Sequence, residues 1–411
     1  MKVVILNTSD TKGGAAVSAY RLMDALCREG VDARMLVADR YSDDPRVACA
    51  GTPRQRKRAF LSERLKIFLA NGLLRRDLFK VSTASDGMNV VTHPWVQEAD
   101  AILINWINQG FLSLGDLQQL GTTGKKIFWT MHDMWCFTGI CHHAYGCPNF
   151  EQQCGHCRFL RFPTNNDLSH ILWKKKQRLY KLMPQIRFVA VSQWVKEQSL
   201  RSSLLKNSGI EVISNIVPVN RYDFHRSADA PADTCVIAMG AARLDDPVKG
   251  FPLMIEAVNL IADRHPDRAK QLRLMLFGEL RDTSLLQKLK IQFDWCGPVS
   301  ADRIPKLLQS CDVVLSSSHF ETLGMTLAEG LAAGCMAVAF DHGGQSDIIR
   351  HRRNGYLATY PSAEDLANGI LWASSQKADR QALHNDAVDR FSPGVIAQEY
   401  IRLIERQNNN Q

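Results

Sequence analysis

Short apolar runs rich in β-branched residues recur along the chain, and each gives way to a turn and then to apolar positions spaced three and four apart. Residues 3–6, 33–37, 101–104, 126–130 and 210–213 read as strands in this way, and 188–194 as a strand and its turn. Residues 15–28 read as a helix, because Ala15, Ala19, Leu22 and Leu26 share one face with Ala16, Tyr20, Met23 and Cys27 beside them. A proline-bearing stretch, 214–219, interrupts the series and reads as a crossing between domains. The alternation then resumes, with strands at 236–240, 272–277, 312–315 and 337–340 and a shorter one ending at 294–297. Helices are predicted over 252–262 and 301–310 and after Gly324. Ile396, Tyr400, Leu403 and Ile404 predict a closing helix over 396–407 that packs back toward the first domain. Repeated strand and helix predict an α/β fold of two Rossmann-like domains, 1–216 and 217–395.

Length agrees with two domains, since 411 residues exceed one ordinary core. A composition of 45% apolar and 22% charged residues is that of a globular protein. No run approaches the 18 or so apolar residues of a membrane-spanning helix. The opening Met1-Lys2-Val3-Val4-Ile5-Leu6 is too short for a signal peptide and reads as the first strand. A cytoplasmic location is therefore expected, and the 11 cysteines are not expected to form a disulfide framework.

Charge is uneven. Residues 1–216 hold 29 Lys and Arg against 18 Asp and Glu, whereas 217–411 hold 21 against 24. In the first half, Arg54, Arg56, Lys57, Arg58, Arg64, Lys66, Arg75 and Arg76 alternate with Phe60, Leu61, Leu65, Ile67, Phe68 and Leu69. A second mixture runs from Trp173 to Leu182 through Lys174, Lys175, Lys176, Arg178 and Lys181. Such segments suit an anionic membrane surface or serve as the solvated faces of two helices. No nucleic-acid-binding module is recognisable, so nucleic acid is not an expected partner.

Candidate chemistry gathers in loops after strands, where ligands bind in open α/β sheets. After the strand 312–315 comes a loop carrying Glu321, and Thr322, Leu323, Gly324 and Met325 lead into a helix whose free N–H groups suit an anion. Glu329 lies about two turns further, among Leu, Ala and Met, where an unexplained carboxylate is costly. Arg243 and Lys249, with Gly250, flank another strand-to-helix loop and can clamp a diphosphate. Gly278 ends the strand 272–277, and Gly343-Gly344 follow the strand 337–340. In the first half, Gly13-Gly14 sit between a strand and a helix, where they permit close approach by a phosphate or sugar, or simply make the turn. His132 follows the strand 126–130, with Asp133 beside it as a possible acceptor for its N–H. Trp295 is either a base contact or core, with core the better reading for an aromatic in an apolar run.

Glu321 and Glu329, separated by seven residues, resemble the Glu-x7-Glu signature of the retaining glycosyltransferases of family four. Arg243, Lys249 and Gly250 match that family's phosphate-binding pattern, and the likeness extends over almost the whole chain. The resemblance implies the architecture called GT-B, two facing Rossmann-like domains with a cleft between them. It implies transfer of a sugar from a nucleoside-diphosphate sugar to a hydroxyl, with the anomeric configuration retained. By the same likeness, Glu321 and His132 contact the transferred sugar, Glu329 binds the ribose diol, and Arg243 and Lys249 hold the phosphates. Gly13, Gly14, Gly278, Thr322, Leu323 and Gly324 then line the donor site. No catalytic metal is expected, because the second half offers no Asp-x-Asp pair to hold Mg²⁺. The long insertion after Trp135 is similar to that of bacterial enzymes building colanic acid and other surface polysaccharides. That similarity implies a lipid-linked glycan acceptor and peripheral attachment to the cytoplasmic face of the inner membrane. The rival readings are transfer to a small soluble acceptor and a non-catalytic sugar-nucleotide-binding subunit.

Within that insertion, 136–158, stand Cys141, Cys147, Cys154 and Cys157, and the Cys-x2-Cys pair with two nearby thiols matches a structural Zn²⁺ site. Disulfides, an iron-sulfur cluster and four unrelated buried thiols are the rivals. Cys136 is a spare thiol, and His142, His143 and His156 are possible substitute ligands.

Overall fold

The computed structural model describes residues 1–75, 77–228 and 233–406, so Arg76 and the last residue of the predicted closing helix, Gln407, lie outside the described residues. The chain divides into two compact units, Met1–Ser214 with Ile396–Gln411, and Asn215–Val395.

In the first unit seven described strands, β1 (Lys2–Ser9), β2 (Asp32–Asp39), β3 (Val47–Cys49), β4 (Ala101–Ile104), β5 (Lys126–Met131), β6 (Ile186–Ala190) and β7 (Ile210–Val212), form one sheet. Its order is β3-β2-β1-β4-β5-β6-β7, and every pairing is parallel. The second unit repeats the plan with β8 (Cys235–Arg243), β9 (Leu272–Glu279), β10 (Gln292–Trp295), β11 (Val313–Ser316), β12 (Met336–Phe340) and β13 (Gly355–Ala358), ordered β10-β9-β8-β11-β12-β13. Both are doubly wound Rossmann-like sheets whose strand order reverses beside the first strand, between β1 and β4 and between β8 and β11.

A parallel sheet covered by helices on both faces selects continuous apolar strands. Ile5 and Leu6 of β1, Phe128 of β5, Leu274 of β9 and Phe340 of β12 have no exposed surface. The returns after β1 and β8 run through helices, Gly14–Arg28 and Phe251–Arg264. The helix predicted over 301–310 is shorter, Ile304–Gln309, because 301–303 form a turn.

The last described helix, Pro393–Arg406, turns Ile396, Tyr400 and Ile404 inward. Tyr400 Oη hydrogen-bonds Thr130 Oγ1 at 2.9 Å, and Lys126 Nζ donates to the Ile404 carbonyl at 2.9 Å, fixing this helix to β5.

Candidate functional site

In the second unit the loops after β8 and β11 leave adjacent strands at the reversal point, where loop backbones diverge and leave room for a ligand. They are bonded to each other along their length. His319 N–H donates to the Val248 carbonyl at 2.7 Å, and Ser317 Oγ donates to the Lys249 carbonyl at 3.0 Å. Gly250 adopts φ +60°, and a Cβ there would lie 2.0 Å from the Ser317 carbonyl oxygen, so only glycine permits this approach. At the end of the seam Lys249 Nζ bonds Glu321 Oε1 at 2.6 Å, while Ser318 Oγ donates to the same oxygen at 2.9 Å. Burial alone would lower the Lys249 ammonium, but the Glu321 carboxylate raises it above its ordinary value, so it stays charged at neutral pH.

Arg243 ends β8 beyond an irregularity in its pairing with β9. Its guanidinium lies 3.2 Å from Asp246 and 3.4 Å from Asp245, yet buried Nε and Asp245 Oδ1 are not aligned as a hydrogen bond. A fork with an unpaired buried donor is suited to accepting an anion. Thr322, Leu323 and Gly324 follow Glu321 and precede the helix Met325–Ala332, which starts from Gly324 at φ +98°. Gly343 and Gly344 lie against the Glu321-Thr322 backbone, where a Cβ on Gly344 would meet the Thr322 carbonyl at 2.2 Å. Glu329 is buried on the same helix, with 9% exposure. Gly278, at φ +129°, is wedged between strands, because a Cβ would lie 1.9 Å from the Ala241 carbonyl. Its glycine is thus required by packing. Trp295 departs from the core reading, for it sits on edge strand β10 with 38% exposure and donates Nε1–H to the Gly278 carbonyl at 3.1 Å.

In the first unit Gly13, at φ +99°, caps the helix after β1, and neither Gly13 nor Gly14 has any atom within 4 Å of where a Cβ would stand. Packing therefore does not explain Gly14, which leaves open space beside the backbone. His132 follows β5, and with Asn105 Oδ1 facing it at 2.8 Å its Nε2 acts as donor, leaving Nδ1 to accept. Burial pulls the ring down to about 4, against the pull of the Asp133 charge, so it is neutral near pH 7. Asp133 does not orient His132 by hydrogen bonding. It accepts instead from Trp106 Nε1 at 2.7 Å, His142 Nδ1 at 2.7 Å and the Trp135 N–H at 2.8 Å. Burial pushes Asp133 up, but the His142 charge and these bonds prevail and hold it at about 2. Asn105 Nδ2 is buried without a partner. Asn105 as partner of His132, and Trp106 and His142 as partners of Asp133, went unmarked because their relation is purely tertiary. The one available hint was that polar residues follow the strand 101–104.

Two cations of the segments expected to face a membrane surface or solvent are interior. Arg64 is buried against Glu63 at 3.2 Å and donates to the Val81 carbonyl and Ser82 Oγ, because it shares the inward face of the helix Pro53–Ala70. Lys176 has no exposed surface, and its ammonium donates to the Trp135 and Thr138 carbonyls, the latter at 3.1 Å. The same helix Pro53–Ala70 turns Leu61, Leu65 and Leu69 outward instead, each more than half exposed.

Cys141, Cys147, Cys154 and Cys157 surround one small cavity, and all 11 cysteines are unpaired thiols. Among the described residues, no three His, Cys, Asp or Glu stand as a ready metal-ligating group. The substitute ligands lie elsewhere: His142 is engaged with Asp133 and Ser82, and exposed His156 bonds Asn165. His143 packs edge-on against Tyr145, and Cys136 lies outside the cavity lining.

Residues 226–390 match the family described as Glycosyl transferases group 1. The mannosylfructose-phosphate synthase of Agrobacterium fabrum is 29% identical over 189 residues, 41% of this chain and 40% of that protein. The GDP-Man:Man(3)GlcNAc(2)-PP-Dol alpha-1,2-mannosyltransferase of Dictyostelium discoideum is 25% identical over 176 residues, 39% of this chain and 35% of that protein. The chain thus spans well under half the length of these curated relatives. The fold is similar to the crystal structure of Anabaena HepE in complex with UDP and glucose, with TM-score 0.63 and 17% identity over 99% of this chain and 100% of the other. The match to group 1 glycosyl transferases thus falls within the second unit, and the two Rossmann-like units have the fold of the GT-B structures that the chain resembles.

Proposed function

We propose that this protein is a retaining glycosyltransferase that moves a sugar from a nucleoside diphosphate to a hydroxyl of a lipid-linked glycan in surface-polysaccharide assembly. The observation that carries the reading is the 2.6 Å pair between Lys249 and Glu321, set where the loops of β8 and β11 diverge. Lys249 shares its loop with Asp246, the ion-pair partner of Arg243, and Glu321 lies just before the helix Met325–Ala332, which supports reading the four as one site.

In this reading Arg243 and Lys249 hold the diphosphate and stabilise the charge that grows on the leaving phosphate as the glycosidic bond breaks. N–H groups near Thr322 to Met325 add to that field, and they need no reorganisation during the reaction. Glu321 accepts hydrogen bonds from hydroxyls of the transferred sugar, and Glu329 from the ribose diol. His132, in the first unit, is assigned a sugar contact on the residue likeness alone, and its neutral ring offers an acceptor at Nδ1. The two curated relatives carry names with different acceptors, a sugar phosphate and a dolichol-linked glycan. The lipid-linked reading is favoured by exposed Leu61, Leu65 and Leu69, which stand on one helix face near exposed Arg54, Lys57 and Arg58. Apolar side chains flanked by cations suit an anionic bilayer on the cytoplasmic side.

The test is a transfer assay with purified protein, a panel of UDP- and GDP-sugars, and lipid-linked or soluble acceptors, with the product anomer read by NMR. Transfer with retention to the lipid-linked acceptor supports the proposal. Transfer only to a soluble sugar phosphate overturns the acceptor, inversion overturns the stereochemistry, and donor binding without turnover overturns the enzyme.

A further inference from the structure

We propose that Cys141, Cys147, Cys154 and Cys157 bind one structural zinc ion that fixes the loop following His132. All four line a single cavity of about 20 Å³. That is room for about one water-sized sphere. The rest of its wall mixes Ile140, Ala144, Phe150 and Phe159 with Thr138, Asn149 and Ser169, and four of its lining side chains are thiols. Four thiolates converging on a dication suit such a space.

The backbone around the Cys154-x2-Cys157 pair is held in a defined geometry. Gly139 N–H donates to Cys154 Sγ at 3.1 Å. Gly139 must be glycine for this contact, since a Cβ would lie 2.4 Å from the Ser169 carbonyl and 3.0 Å from Cys154 Cβ. His156, inside the pair, adopts φ +47°, an uncommon conformation that tightens the turn. Both ends of the pair are tied to the start of the helix Leu168–Leu182. Asp167, its N-cap, accepts the Cys157 N–H at 2.8 Å, and His170 Nδ1 donates to the Cys154 carbonyl at 2.7 Å.

Charge supplies a separate argument. Lys176 lies wholly buried in this layer, where burial pulls its amine down to about 7 and its hydrogen-bond acceptors are two neutral carbonyls, one of them from Thr138 in the cavity wall. Zn²⁺ with four thiolates carries two net negative charges, which offset a cation held in low dielectric. The sulfurs are not gathered into a ligating group as they stand. Closing them on a metal requires the four side chains to turn toward one point, with loss of one proton from each thiol to solvent. Four protein ligands leave no open position, so this zinc takes no part in the transfer reaction.

The test is elemental analysis of the full chain purified without added metal or chelator. About one zinc per chain is expected. Cys154→Ser should lower zinc about ten-fold or more, while Cys136→Ser leaves it unchanged. Because losing a ligand can also unfold the loop, a second measurement uses the unaltered chain: titration with an organomercurial should release zinc as four thiols react. Zinc far below one per chain, iron in its place, a disulfide among these four cysteines, or full zinc in Cys154→Ser would each overturn the proposal. None of these readouts depends on glycosyl transfer.

Discussion

Lys249 and Glu321, 72 positions apart in the chain, form an ion pair of 2.6 Å that closes the seam between the loops after β8 and β11. Each side chain keeps under a third of its surface exposed. Neither charge is therefore fully hydrated, and each depends on the other or on a bound ligand. Lys249→Ala and Glu321→Ala should each cut transfer about 100-fold, the effect of losing about 3 kcal/mol of preorganised stabilisation. Steady-state rates, with circular dichroism as a check on folding, measure this. Rates within two-fold of wild type in both variants would remove the pair from the site.

Glu329→Ala should act differently, raising the donor's dissociation constant with less effect on turnover at saturating donor. Loss of about one charge-assisted hydrogen bond predicts a weakening of about ten-fold or more. Thermal shift against nucleoside diphosphates reads it, since a ligand that binds only the folded chain raises its melting temperature. An unchanged shift would contradict the ribose assignment.

His132 should titrate near pH 4, well below its value of about 6.5 in the unfolded chain. Its folded-state pKa is depressed, so between those values the unfolded chain binds more protons and stability falls as pH drops through the window. The contribution is of the order of 3 kcal/mol at most. His132→Asn should lose less stability than wild type between pH 7 and pH 4.5 in urea unfolding. Equal losses, or an NMR pKa near 6.5, would show the ring to be hydrated.

Membrane attachment separates into two readouts. Replacing Arg54, Lys57 and Arg58 by Gln should weaken sedimentation with anionic vesicles at low salt, at about 1 kcal/mol per charge. Replacing Leu61, Leu65 and Leu69 by Ser should weaken the binding that survives high salt. Vesicle binding unchanged in both variants would assign this helix face to solvent or to another partner.

Gly250→Ala tests the seam itself. With φ at +60° and the Ser317 carbonyl 2.0 Å from the new Cβ, the substitution should cost at least about 2 kcal/mol and lower the melting temperature. An unchanged melting temperature would mean that the loops meet less closely than the structure has them.

The strands were the most legible part of the fold. β1, β5 and β12 are buried on both faces, and such strands must be continuously apolar, which a single sequence displays directly. β3 and β13 were not read out, because three residues at an edge and a Gly-Tyr-Leu-Ala run carry little pattern. Facing was harder to read than periodicity. In the helix Pro53–Ala70 the Leu61, Leu65 and Leu69 stripe and the Ala59, Glu63 and Ile67 stripe share the same spacing, and the structure buries the second. Arg64 went inside with it and found Glu63, a relation that composition does not encode. Trp295 failed for a related reason, since an apolar run at a sheet edge has one side uncovered. Of the proposed site, Lys249 and Glu321 were marked separately from loop position and residue likeness, and the structure pairs them. The Asn105–His132 bond and the Asp133–His142 pair join separate segments and became visible only in three dimensions.

The central claim is that the loops at the β8 and β11 ends bind a nucleoside diphosphate for sugar transfer. Release of nucleoside diphosphate from a panel of UDP- and GDP-sugars, measured for wild type and Lys249→Ala with a lipid-linked acceptor pool, tests it most directly. The account predicts acceptor-dependent release from at least one donor by wild type, with about 100-fold less from the variant. Release that is absent in wild type across the panel, or equal in the two proteins, would contradict it.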